Sequence, residues 1–144
     1  MNPLMKKLQL KGEALCLVRL PGALDALFPP EAVRTELPPQ GAVAVLAFAE
    51  TREELDGLIS TVMPRLAPGA VVWFAYPKKS SRRYRSDITR DTGWEGLLPY
   101  DYEPVSQVAL DEDWSALRFK PYRDIRNPKR AGRMIARRDT EPPA

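Results

Sequence analysis

Lys78 and Lys79 follow the apolar run "AVVWFAY" (70–76) directly, and Ser80 and Ser81 come next. Two ammonium groups and two hydroxyls at the end of a strand form a set suited to holding a phosphate or a carboxylate. Arg82, Arg83, Arg85 and Arg90 extend the run, so residues 78–90 hold six Lys/Arg against one acid, Asp87. Ser86 or Asp87 can cap a helix over roughly 88–97, whose first free N–H groups would add to an anion site. Asp87 can equally fill that helix terminus itself, which would leave Lys78, Arg82, Arg83 and Arg85 as a solvated loop. Trp94 stands close to the basic loop and is the tryptophan placed to stack on a base or an adenine ring; Trp73 and Trp114 read as core. The candidate ligand-binding set is therefore Lys78, Lys79, Ser80, Ser81, Asp87, Arg90 and Trp94. On a helix, Asp87, Asp91 and Glu95 would share one face at i, i+4, i+8. That row reads as solvent-facing or paired with Arg90, and no metal site is assigned to it.

What the chain lacks narrows the chemistry. Its 144 residues contain no histidine and one cysteine, which removes Ser-His-Asp and Cys-His constellations, a histidine base and a zinc site. Catalysis would fall to carboxylates, lysine, tyrosine or a cofactor, so a non-catalytic role is favoured over an enzyme. Cys16, in "ALCLVRL", reads as a small core residue. The charge is divided: segment 78–90 carries +5, segment 120–144 another +5, and the remainder eight basic against fifteen acidic residues, −7. Local concentration of positive charge permits an anion site, or a nucleic-acid backbone contact through 78–90 and 120–138. No apolar run reaches the ~18 residues of a membrane span. "MNPLMKKLQLKGE" lacks a signal-peptide core, so a soluble protein with no membrane partner is expected, cytoplasmic by default.

The elements that must position these groups form one α/β domain over 1–120, followed by a basic Pro/Arg-rich tail, 121–144, expected to be partly disordered. "EALCLVRL" (13–20) reads as a strand, "PGALDALF" as a short helix and "AVRTEL" (32–37) as a short strand. "AVAVLAFA" (42–49) is apolar throughout, as a doubly covered parallel strand is. Thr51 and Glu54 make a capping-box pair, and Leu55, Leu58, Ile59, Val62, Met63 and Leu66 repeat along one helix face until Pro68-Gly69. With the strand 70–76 this makes a right-handed βαβ crossover. "PVSQVAL" (104–110) and "WSALRF" (114–119), joined by Asp111-Glu112-Asp113, form an antiparallel hairpin. The fold class is a three-layer, mostly parallel Rossmann-like sheet closed by that hairpin.

This order resembles the class I S-adenosylmethionine-dependent methyltransferases, on "LAPGAVVWFAY" (66–76) for their helix-ending turn and strand and on 104–119 for their terminal hairpin. The resemblance implies that strand 114–119 lies antiparallel beside 70–76, with 104–110 at the edge. It departs after the first strand, where Leu20-Pro21-Gly22-Ala23 stands in place of a glycine-rich cofactor loop. Glu36 is the acid available near the end of the second strand. The chain also resembles a bacterial family of undetermined function, on "WFAYPKKSS" (73–81), "SDITRDTGWE" (86–95) and "VALDEDWSALRF" (108–119), which implies the same fold and supplies no activity. Three functions are expected to compete. The first is a module binding a small anionic or nucleotide-like ligand, or a protein partner, at the Lys/Ser loop. The others are nucleic-acid backbone binding and a divergent methyltransferase.

Overall fold

A computed structural model describes residues 2–125; the expectations made for the tail beyond residue 125 lie outside the described residues. Six strands form one sheet: β1 (Leu15–Val18), β2 (Val33–Arg34), β3 (Ala42–Phe48), β4 (Leu66–Pro77), β5 (Tyr102–Ala109) and β6 (Trp114–Pro121). Their order is β2-β1-β3-β4-β6-β5. The first four are mutually parallel. β6 runs antiparallel beside β4, and β5 antiparallel at the edge. The hairpin thus sits where the methyltransferase resemblance puts it, and the fold is the Rossmann-like α/β sheet expected.

Between β3 and β4 the chain crosses over through helix α2 (Arg52–Val62). Thr51 Oγ1 accepts from Glu54 N at 3.1 Å while Glu54 Oε1 accepts from Glu50 N at 2.8 Å, a reciprocal N-terminal closure. Leu55, Leu58, Ile59 and Val62 are buried, each contributing about 1.5–3 kcal/mol of burial. They rest on Val45 and Ala47 of β3, Val72, Phe74 and Tyr76 of β4, and Leu117 and Phe119 of β6. The alternate residues of the same strands, Leu46, Phe48, Trp73, Ala75, Trp114 and Ala116, face the opposite side. That side is covered by helix α1 (Pro3–Lys7) with Leu8 and Leu10, and by a 3₁₀ segment, Gly22–Leu27. The Trp73 indole donates to Leu8 O at 2.9 Å, anchoring the N-terminal segment on the sheet.

Several elements differ from expectation. The helix ends at Val62 rather than at Pro68-Gly69, because Pro64 has no N–H and tightens the chain into a 3₁₀ turn, Met63–Arg65. "PGALDALF" is 3₁₀ rather than α, and the second strand shrinks to Val33–Arg34. No helix forms over 88–94; the chain there is a loop, followed by a 3₁₀ segment, Glu95–Tyr100. Side chains have claimed its backbone donors: Ser86 Oγ accepts from Ile88 N, and Thr89 Oγ1 accepts from Asp91 N and Thr92 N. Gly93, at φ 105°, then holds a conformation a helix cannot use. The carboxylate row of Asp87, Asp91 and Glu95 therefore has no common helix face. Among the described residues no helix is long and apolar enough to cross a membrane.

Candidate functional site

β4 carries the aromatic run Trp73-Phe74-Ala75-Tyr76 to the carboxyl edge of the parallel strands. Tyr76 points to the α2 side, 3% exposed, with its ring edge-on to Trp94 at 5.7 Å. Register places Ser115 of β6 opposite Tyr76, and Gln107 of β5 opposite Leu117. Gln107 Nε2 lies 3.2 Å from both the Tyr76 hydroxyl and Ser115 Oγ. Ser115 Oγ in turn donates to Val108 O at 3.3 Å. Burial pushes the Tyr76 phenol above its ordinary value, against the opposing pull of the Ser115 and Gln107 hydrogen bonds and Arg90. At neutral pH the phenol is a proton donor.

Beyond Pro77 the basic loop folds back over this polar floor. Lys78 N donates to Asp113 O at 2.7 Å, and Lys78 O accepts from Ser81 N at 3.0 Å. Ser81 Oγ then joins Asp113 Oδ1 and the backbone N–H groups of Arg83 and Tyr84. Tyr84 packs edge-on against Trp114 at 5.1 Å. Asp87 Oδ1 accepts from Arg52 N in the first turn of α2 at 2.8 Å, and Ile88 is buried. The Trp94 indole donates to Thr89 O at 2.8 Å, and Arg52 pairs with Glu95 at 2.9 Å. The segment is fixed at both ends and in the middle.

What results is a cleft of about 460 Å³ on the α2 side of the antiparallel strands. Lys78, Lys79 and Arg90 supply three cations, Tyr76, Thr89, Gln107 and Ser115 the uncharged polar groups, and Ala109 an apolar wall; no carboxylate lines it. Arg90 Nε also meets Asp91 at 3.3 Å, with both side chains more than half exposed, a pairing too solvated to withhold the guanidinium from a ligand. The arrangement can take an anion and hydrogen-bond the atoms around it.

At the end of β1, where the methyltransferase resemblance implies an adenosyl cofactor, the residues have another form. The left-handed position in the turn is held by Arg19, at φ 62°, whose guanidinium pairs with Glu54 at 3.1 Å. Gly22, the glycine that follows, has ordinary φ and open space around a would-be Cβ; nothing there requires a glycine for close backbone approach. The ion pair bridges the ends of β1 and α2 across the point where strand order reverses. Glu36 lies exposed beyond β2, and its carbonyl accepts from Cys16 Sγ at 3.3 Å. These residues do not fit a glycine-loop cofactor site.

Solved structures share the chain's path in part. LepI in complex with SAM has a TM-score of 0.48 at 14% identity, over 82% of this chain and 39% of that one. A protein assigned as a type 11 methyltransferase from Sulfolobus solfataricus has a TM-score of 0.46 at 12% identity, over 83% of this chain and 78% of that one. Ribosomal protein L11 methylase from Lactobacillus delbrueckii subsp. bulgaricus has a TM-score of 0.40 at 14% identity, over 62% of this chain and 44% of that one. The chain spans less than half the length of LepI and of the L11 methylase. No family model matches the chain, and no curated protein matches it. Nothing of activity is carried across at these levels of likeness.

Of the seven residues singled out in the sequence, Lys78, Lys79 and Arg90 meet in the cleft. Ser80 is exposed on the turn beside it, and Ser81 organises that turn. Asp87 caps α2 rather than a helix of its own. Trp94 is 2% exposed, its faces taken by Phe74, Tyr76 and Phe119; it supports the cleft floor instead of offering a stacking surface. Sequence reasoning missed Tyr76, Thr89, Gln107 and Ser115. One signal for Gln107 was present: it interrupts the Val105–Ala109 face of a strand whose neighbour on β6, Leu117, is core.

Proposed function

We propose that this chain is a Rossmann-like module that binds a small anionic ligand, without catalysing a reaction on it, in the cleft at the carboxyl end of β4. The observation that carries this reading is the convergence of Lys78, Lys79 and Arg90 over the buried Tyr76 hydroxyl, in a lining without a carboxylate. Three cations and a phenol donor meet a phosphate's oxygens with charge-assisted hydrogen bonds. The loop that carries the cations is already held in place, so little ordering cost is left for binding.

The test is calorimetric titration with inorganic phosphate, simple phosphate monoesters and dicarboxylates, checked by thermal shift. Binding is expected for the phosphates, and Lys79→Ala should weaken it about tenfold, the loss of one charged hydrogen bond. If no anion binds, or if Lys79→Ala binds as wild type does, the reading fails. Nucleic-acid binding through the exposed Arg82, Arg83 and Arg85 would instead show affinity falling steeply with salt.

A further inference from the structure

The geometry points to a hydroxyl-bearing phosphate ester, of the sugar-phosphate or polyol-phosphate class, as the ligand of the β4-edge cleft, with Gln107 as the residue that selects the hydroxyl. This rests on the anion-binding reading and adds a second requirement to it. The Ser115 hydroxyl hydrogen is directed to Val108 O, so Ser115 Oγ must receive a proton rather than give one. The nitrogen end of the Gln107 amide supplies one at 3.2 Å, which sets the way the amide points. Its two N–H groups are then directed to Ser115 Oγ and the Tyr76 hydroxyl, both at 3.2 Å. Gln107 Oε1 is the other end of that amide in the cleft lining, and no hydrogen bond among the described residues uses it.

The cleft therefore presents two chemically different ends. Lys78, Lys79, Arg90 and the Tyr76 O–H are donors and suit oxygens that carry charge. Gln107 Oε1 is an acceptor, and it suits an O–H or N–H. A bare phosphate or sulfate satisfies only the first end. A dianion with charge at both ends would place an oxyanion against the amide oxygen. A phosphate ester with a free hydroxyl satisfies both, and a cleft of about 460 Å³ has room for one. Because the amide is held by two neighbours, its oxygen is oriented before the ligand arrives, which is what makes it selective.

The experiment compares glycerol 3-phosphate with n-propyl phosphate, which has the same chain and no hydroxyls, by calorimetry on wild type and Gln107→Leu. Inorganic phosphate is the reference. Wild type should bind glycerol 3-phosphate about tenfold more tightly than propyl phosphate, the worth of one neutral hydrogen bond at the upper end of its range. Gln107→Leu should bring the two within about twofold, with the larger loss falling on glycerol 3-phosphate. Gln107 is exposed on the edge strand, and the melting temperature of the variant shows that it folds. Equal affinities in wild type, or a preference that survives in Gln107→Leu, would overturn the hydroxyl requirement and leave the anion site standing. Failure of all three compounds, inorganic phosphate included, would overturn both.

Discussion

β1 and β4 are parallel strands of one sheet and end on the same edge, yet the two ends are built in opposite ways. At β1 an arginine in left-handed conformation pairs with a helix carboxylate, so opposite charges meet and satisfy each other. At β4 three cations line the cleft; of the acids nearby, Asp87 is engaged on the α2 terminus and Asp113 on Ser81, while Asp91 meets Arg90 only in a solvated pairing. Two strand ends on one sheet edge thus offer different surfaces to a ligand. The topological switch point, where doubly wound sheets commonly bind, is bridged in this chain, and the excess of positive charge lies on the other side, against the antiparallel hairpin.

The contrast can be broken most severely from below. Trp94→Ala removes the ring that touches Phe74, Tyr76 and Phe119 and should cost about 3–5 kcal/mol in urea unfolding. Binding at the cleft should fall with it, because Tyr76 loses its support. Next in size is a charge comparison: Lys78→Ala with Lys79→Ala should weaken phosphate binding about a hundredfold, two charged hydrogen bonds. Arg19→Ala, at the other strand end, should leave binding within about twofold, as its exposed ion pair is worth little. Equal losses from the two ends would erase the distinction.

Asp87→Ala is smaller. It removes an acceptor from the first turn of α2 and should cost about 1 kcal/mol, with faster hydrogen exchange in the 78–94 loop as the sharper readout. Least in effect is the response to alkali. Burial raises the Tyr76 phenol, so as pH rises past about 10 the unfolded chain releases its proton first and stability declines. Tyr76→Phe should flatten that decline. A stability curve unchanged by the substitution would show that the phenol is not held in its neutral form.

Much of the fold was legible because burial writes itself into periodicity. Residues 42–49 and 70–76 are apolar without interruption and are the central strands; the hairpin followed from a three-residue link. The loop was legible only in composition. Its charges identified Lys78, Lys79 and Arg90, but the helix expected after Asp87 was defeated by hydroxyls at Ser86 and Thr89, whose competition for backbone donors leaves no periodic trace. Trp94 misled for a related reason: its place beside the basic loop suggested a ligand contact, whereas its ring is packed among Phe74, Tyr76 and Phe119. Tyr76, Gln107 and Ser115 come together only through strand register, and pairwise register between distant segments is not carried by any local pattern.

The hydrogen bond from the Trp73 indole to Leu8 O spans 65 residues of chain. Residues 5–10 therefore find their covering position only against a strand far along the sequence. Until β4 has been synthesised, Met5, Leu8 and Leu10 have no sheet face to cover, and closing so long a loop carries an entropic cost that local contacts do not offset. A truncation that removed residues 2–10 would leave Trp73 and Leu46 uncovered on that face of the sheet.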